Sequence, residues 1–169
     1  MPTRKELSFL LLGIAGAVIL YFLRDDWWRI VIFNYCFAMV FESSMEPLFT
    51  YHKDLCTARC IRNTDINYIF PIGWNFMFVA TYWAATSFFN NRWYGFAVSG
   101  FIVGTILESI YHGLGFWKYN YDAKFGGFYK PFQPKITWLG GVPVQVSISY
   151  GLSVGTFVWF ITNKMFQPG

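Results

Sequence analysis

Five apolar stretches, residues 7–23, 27–45, 67–89, 94–112 and 141–162, occupy most of this chain and constrain its fold more than any other feature. A helix that crosses a bilayer needs roughly 20 mainly apolar residues, and each stretch approaches or exceeds that length. Charged residues that could solvate them are scarce: they make up 13% of the 169 residues, against about 25% in a soluble domain. The pattern predicts an all-α protein, a polytopic membrane helix bundle of about five transmembrane helices, with residues 1–169 forming one integral membrane domain.

The joints between the stretches refine this reading. The first stretch follows a basic N-terminus, as in a signal peptide. It lacks an Ala-x-Ala-like cleavage site and runs straight into Arg24, Asp25 and Asp26, so it is expected to remain as the first span. Trp27 and Trp28 suit an interfacial aromatic belt. Pro47 is expected to end the second helix. Asn90, Asn91 and Arg92 leave room only for a tight antiparallel hairpin. The segment 113–140 is rich in Gly, Pro, Tyr and Lys, has no helical periodicity, and is expected to form an ordered aromatic cap loop over one mouth of the bundle.

Charge placement gives an orientation. Five spans put nine basic residues on the side that holds Arg4, Lys5, Lys53, Arg59, Arg62 and the lysines of 118–135. The other side holds four: Arg24, Arg29, Arg92 and Lys164. The positive-inside rule then predicts a cytoplasmic N-terminus and an extracytoplasmic C-terminus. The net charge of +4 lies in loops and forms no nucleic-acid-binding stripe, and attraction to anionic lipid headgroups accounts for it better.

Two glutamates interrupt this apolar background. Glu42 lies in 33–45 and Glu108 in 96–111, each followed by serine. A charged side chain within a membrane helix is costly, faces a bundle interior or a cavity, and marks a functional-site hypothesis. The orientation above places both at similar depth near the cytoplasmic face. Glu108 and His112, four residues apart, share a helix face, and Glu42 and Glu46 have the same spacing. A carboxyl group away from water, beside a second carboxyl, favours its protonated form, the state a general acid requires. Glu108, Glu42 and His112 are therefore the candidate catalytic residues. The alternative is that the glutamates hydrogen-bond across helices to hold the bundle together.

Other polar and aromatic residues fall near them. Gly100 and Gly104, and Ser147, Gly151 and Gly155, repeat small residues one turn apart and permit close helix approach. Gln145, Ser149 and Ser153 form a polar row on the fifth stretch, and Asn75 adds a polar group to the third. These are expected either to bond between helices or to line a shared cavity. Tyr111, Trp117, Tyr119 and Tyr121, with Asn75 and Gln145, are the candidate substrate-binding residues, because ring faces could steady a carbocation. His52, Cys56 and Cys60 do not have the spacing of a zinc knuckle. The Glu-x-x-His spacing of di-iron bundles is absent too. No metal and no cofactor are expected, and Cys36 is expected to be a small buried hydrophobe.

The stretch 108–121 (Glu-Ser-Ile-Tyr-His-Gly-Leu-Gly-Phe-Trp-Lys-Tyr-Asn-Tyr), followed by Gly140, Gly141, Val142, Pro143 and Val144 and an apolar helix, resembles the integral-membrane carotenoid hydratases. These belong to a wider set of small isoprenoid-modifying membrane proteins. Glu108, Tyr119, Tyr121 and the Gly141-Val142-Pro143 run carry the likeness, which covers about a quarter of the chain. Trp117 departs from it, standing where that pattern has glycine. The resemblance implies a membrane-embedded enzyme that hydrates, cyclises or isomerises an isoprenoid-like lipid by acid initiation. The expected partner is then a membrane lipid or isoprenoid substrate, with no nucleic acid. The competing expectation is a non-catalytic small subunit of a larger membrane complex, bound to partner membrane subunits or to further copies of itself.

Overall fold

The computed structural model describes residues 3–49, 68–116, 137 and 139–166, with the side chains of 43–49 and 139 left aside. The cap residues Trp117, Tyr119 and Tyr121, and the triplet His52, Cys56 and Cys60, lie outside the described residues. Five helices account for nearly all of the rest: α1 (Arg4–Leu23), α2 (Trp27–Phe49), α3 (Trp74–Phe88), α4 (Trp93–Gly113) and α5 (Val144–Met165). No strand occurs among the described residues. The protein is a helical bundle.

Each helix tracks one apolar stretch. Helix α1 starts three residues before its stretch because Thr3 and Glu6 form a capping box: Glu6 N–H donates to Thr3 Oγ1 and Thr3 N–H to Glu6 Oε2. This satisfies two of the amide donors that any helix start leaves open. Helix α2 continues through Pro47 to Phe49, further than the proline predicts. A proline so near the end of a helix removes only one backbone bond from the last turn.

Among the described residues, α1, α4 and α5 are long and apolar enough to cross a membrane. The predicted count of five spans is therefore met by three helices. Helix α2 is long enough but carries Arg29, Asn34 and Glu42. Helix α3 has 15 residues, about 22 Å at 1.5 Å each. A four-residue 3-10 turn, Phe70–Gly73, precedes it and adds about 8 Å at 2 Å per residue.

The turns sort the helices into an up-and-down order. Between α1 and α2, Arg24 meets Asp26 through Nε and Nη2 at 3.1 and 3.2 Å, and this pairing holds the guanidinium above its ordinary range of basicity. Arg24 also donates to the carbonyl of Phe166, just past α5. Between α3 and α4, Asn90 and Asn91 both adopt left-handed backbone (φ 50° and 59°), a conformation asparagine tolerates better than most residues. Asn91 bonds Asn163 on α5 at 2.7 Å. Both tight turns and the end of α5 thus share one end of the bundle. Trp28 and Trp93 stand half exposed there, with Arg29 5.2 Å above the Trp28 ring.

Close packing follows the small residues. A Cβ on Gly13 or Gly16 would lie within 2.5 Å of the Ile72 carbonyl or the Asn75–Phe76 backbone, so α1 touches the main chain around the start of α3. On the α4–α5 face, a Cβ on Gly155 would meet the Phe96 carbonyl oxygen at 2.3 Å, and one on Gly100 would meet Gly155 N at 2.9 Å. The small-residue spacing does mark a close interface. Cys36 corrects its expectation: it is exposed. Ile30, Asn34, Ala38, Phe41 and Glu42 define the buried stripe of α2, and Cys36 falls between its turns, on the outer side.

Candidate functional site

Glu42 and Glu108 lie at matched heights. Each is fifteen residues into its helix, counting from Trp27 and Trp93, about 22 Å from the turn end at 1.5 Å per residue. Both are buried, at 2% exposure. A third carboxyl, Glu6, is 4% exposed at the start of α1, at the same end of the bundle. The sequence reading passed over Glu6. The Thr-x-x-Glu spacing of a capping box was the available signal.

Glu108 is held by a residue from the far side of the sequence. Tyr150 Oη donates a buried hydrogen bond to Glu108 Oε1. Two features bring this about, one on α5 and one on α4. The helix winds from α-helical to π-helical geometry at Tyr150–Gly155, and such turns recur at functional sites because they re-aim side chains. Gly104, one turn before Glu108, supplies the room: a Cβ there would stand 2.4 Å from Tyr150 Cγ and 2.6 Å from its Cβ. The root of the Tyr150 ring therefore occupies the space that a side chain at position 104 would fill.

His112, placed beside Glu108 by its spacing, is half-buried and faces the turn into α5: a Cβ on Gly141 would lie 3.2 Å from His112 Nε2. A Cβ on Gly140 would lie 2.6 Å from that of Ser109. Both glycines have positive φ, 66° and 79°, which L residues with side chains rarely adopt. The Gly140-Gly141-Val142-Pro143 run is thus pressed against the helix face that flanks Glu108.

Glu108 and Tyr150 border a partly open cleft of about 30 Å³ between α1, α3, α4 and α5. Phe9, Phe70, Trp74 and Tyr111 contribute most of its aromatic wall. Phe9 meets Phe70 edge-on at 4.4 Å and Tyr111 at 4.8 Å. The Trp74 ring lies 5.9 Å from Tyr150. Of the expected binding residues, Tyr111 lines this space. Glu42 does not, although its neighbour Phe41 touches both Trp74 (5.0 Å) and Tyr150 (5.6 Å) in the wall.

The remaining candidates sit apart from the cleft wall. Asn75 Oδ1 accepts from Asn34 Nδ2 at 2.9 Å in a buried bond between α3 and α2. Gln145 is buried, and its amide atoms have no partner among the described residues. Ser149 of the expected polar row bonds its own helix, at the Val146 carbonyl. Among the described residues, no three His, Cys, Asp or Glu side chains gather closely enough to hold a metal ion.

No protein family, curated protein or solved structure matches this chain. The likeness of 108–121 and 140–144 to carotenoid hydratases thus stands on those short motifs alone. What the site can do chemically follows from its own groups. It has a buried carboxyl with a phenol donor on one oxygen, next to a small space walled by rings.

Proposed function

We propose that this chain is a five-span integral membrane protein, with cytoplasmic N-terminus and extracytoplasmic C-terminus, that acts as an enzyme on an isoprenoid-like lipid through acid initiation at Glu108. The observation that carries the reading is the Glu108–Tyr150 pair in the wall of an aromatic cleft. Protonated Glu108 adds its proton to a carbon–carbon double bond, giving a tertiary cation and a carboxylate. The Tyr150 hydroxyl bonds the carboxylate more strongly than the acid, so it stabilises the charge that develops. Phe9, Phe70, Trp74 and Tyr111 offer ring faces to the cation. Proton loss, ring closure or attack by water then completes isomerisation, cyclisation or hydration. Glu42 lies outside the cleft wall, so this reading gives it no contact with the reacting atoms.

The cleft limits what enters. At about 30 Å³ it takes a water-sized group, so only the reacting tip of a lipid would enter it, with the rest of the chain along the apolar exterior. The test is incubation of the reconstituted protein with polyprenyl substrates in D₂O. Deuterium incorporated by the native protein and lost in Glu108→Gln supports the acid role, and equal incorporation by both rejects it. The small volume also favours a second reading, a non-catalytic subunit of a larger membrane complex whose glutamates stabilise packing. Under that reading Glu108→Gln releases a co-purifying membrane partner and no lipid is converted.

A further inference from the structure

Most residues that border the cleft are buried. Those that also reach the surface are Leu12 of α1, Gly73 and Phe76 around the start of α3, and Leu107 of α4. The mouth of the cleft is therefore a slot between α1 and α4 with α3 as its floor. The packing agrees, because α1 and α4 each lie against α3 and make little backbone contact with each other. Toward the helix ends the slot is shut by rings. Phe9 and Tyr111, one turn beyond Leu12 and Leu107, meet at 4.8 Å, and Phe116 stands 5.3 Å from Tyr111 and 6.3 Å from Phe9. We propose that the cleft opens sideways onto the bilayer through this slot, with Leu12 and Leu107 as its rims, and admits the hydrocarbon end of a lipid rather than its polar head.

Depth and chemistry select that occupant. Leu12 is eight residues from the start of α1 and Leu107 six from the end of α4, about 12 and 9 Å at 1.5 Å per residue. Helix α4, 21 residues long, measures about 31 Å on the same scale, close to the roughly 30 Å hydrocarbon core of a bilayer. The slot thus opens about 10 Å inside the helix ends, between two helices apolar enough to cross a membrane. Leu11 on α1, and Ile106 and Ile110 on α4, stand exposed beside it, so lipid chains are what it meets. All four residues at the mouth are apolar. A polar head passing them loses its hydrogen bonds to water and gains none at the rim, a cost that a hydrocarbon end avoids. The inference rests on the lipid-enzyme reading above and narrows it: the double bond that meets Glu108 is one remote from the polar head.

The full-length protein, ¹³C-labelled at its five methionine methyls and held in nanodiscs of chain-deuterated lipid, is mixed with farnesol. Met77 lines the cleft and is buried, whereas Met165 is exposed and reports general contact with the dissolved alcohol. Met77→Leu assigns the Met77 signal by its loss. The expected result is a nuclear Overhauser effect at Met77 from the terminal dimethyl group of farnesol, with none from its hydroxymethyl protons. Leu107→Trp, which fills the slot, removes this effect and keeps that at Met165. Ile110→Trp, on the exposed face of the same helix, changes neither. If Leu107→Trp does not assemble, Leu107→Ala widens the slot and strengthens the Met77 effect. An effect from the hydroxymethyl protons at Met77 means head-first entry and overturns the proposal. So does silence at Met77 while Met165 responds, the result expected if a second copy of the chain covers the slot. A Met77 effect indifferent to every change at Leu107 places the entrance elsewhere and also overturns it. If the effect is present and blocked as expected while Glu108→Gln leaves deuterium incorporation intact, the enzyme reading fails and the lateral entrance stands.

Discussion

Replacing Gly104 with alanine tests whether the backbone of α4 sets the position of Tyr150. The added methyl would stand 2.4 Å from Tyr150 Cγ and 2.7 Å from Cδ2, whereas carbon atoms rest about 3.5–4.0 Å apart. The ring must therefore withdraw by about 1 Å or more at its root, where a tyrosine has little freedom. Overpacking of this kind costs about 1–3 kcal/mol. Pulling the hydroxyl off Glu108 breaks a buried hydrogen bond, at a further 1–3 kcal/mol or so. The expected loss is thus roughly 2–6 kcal/mol, read from unfolding in mixed micelles titrated with a denaturing detergent. A double-mutant cycle separates the two parts. In the native background Tyr150→Phe removes only the hydroxyl bond and costs about 1–3 kcal/mol. In the Gly104→Ala background that bond is already broken, so Tyr150→Phe costs less than about 0.5 kcal/mol. Equal costs in the two backgrounds would show that the ring keeps its place despite the methyl, and the positioning argument fails.

Glu108→Gln is expected to assemble normally and abolish deuterium transfer to substrate, because the amide keeps the shape but lacks the transferable proton. Asn34→Leu strands the amide of Asn75 inside the bundle, with an expected loss near 0.6 kcal/mol, the average for an interhelical polar bond in a membrane; a stabilised variant in the same micelle titration refutes the pairing. Gly16→Val drives a branched side chain into the Asn75–Phe76 main chain, so α1 and α3 must separate; an unchanged crosslinking yield between engineered cysteines on these helices argues against that contact. Cys36, mid-helix and outward-facing, is expected to react with a membrane-permeant maleimide but not with a charged one, and equal labelling by both contradicts a lipid-facing α2.

Much of the scaffold was legible because it rests on local pattern. Long apolar runs give helices, Asn90-Asn91 gives a turn only left-handed residues can make, and Gly100, Gly151 and Gly155 give an interface with no side chains in the way. Glu108 was legible as an outlier in such a run. Its partner was not, because nothing local distinguishes Tyr150 from the ten other tyrosines. The choice depends on a π-helical turn and on an opening at Gly104, forty-six residues away. The i, i+4 spacing of Glu108 and His112 was real, yet His112 is spent against the Gly141 turn. Cys36 shows the same limit from the other side: an apolar run says that a helix is buried in something, not whether protein or lipid covers a given face.

The pairing of Glu108 with Tyr150 also has a bearing on biosynthesis. Helix α4 leaves the ribosome well before α5, so the nascent chain holds Glu108 in place with no phenol to meet it, and Arg24 waits longer still for the Phe166 carbonyl. Both bonds close only when the fifth helix arrives. The last helix thus acts as a keystone: a chain arrested before it lacks the two bonds that tie α4 and the first turn to α5.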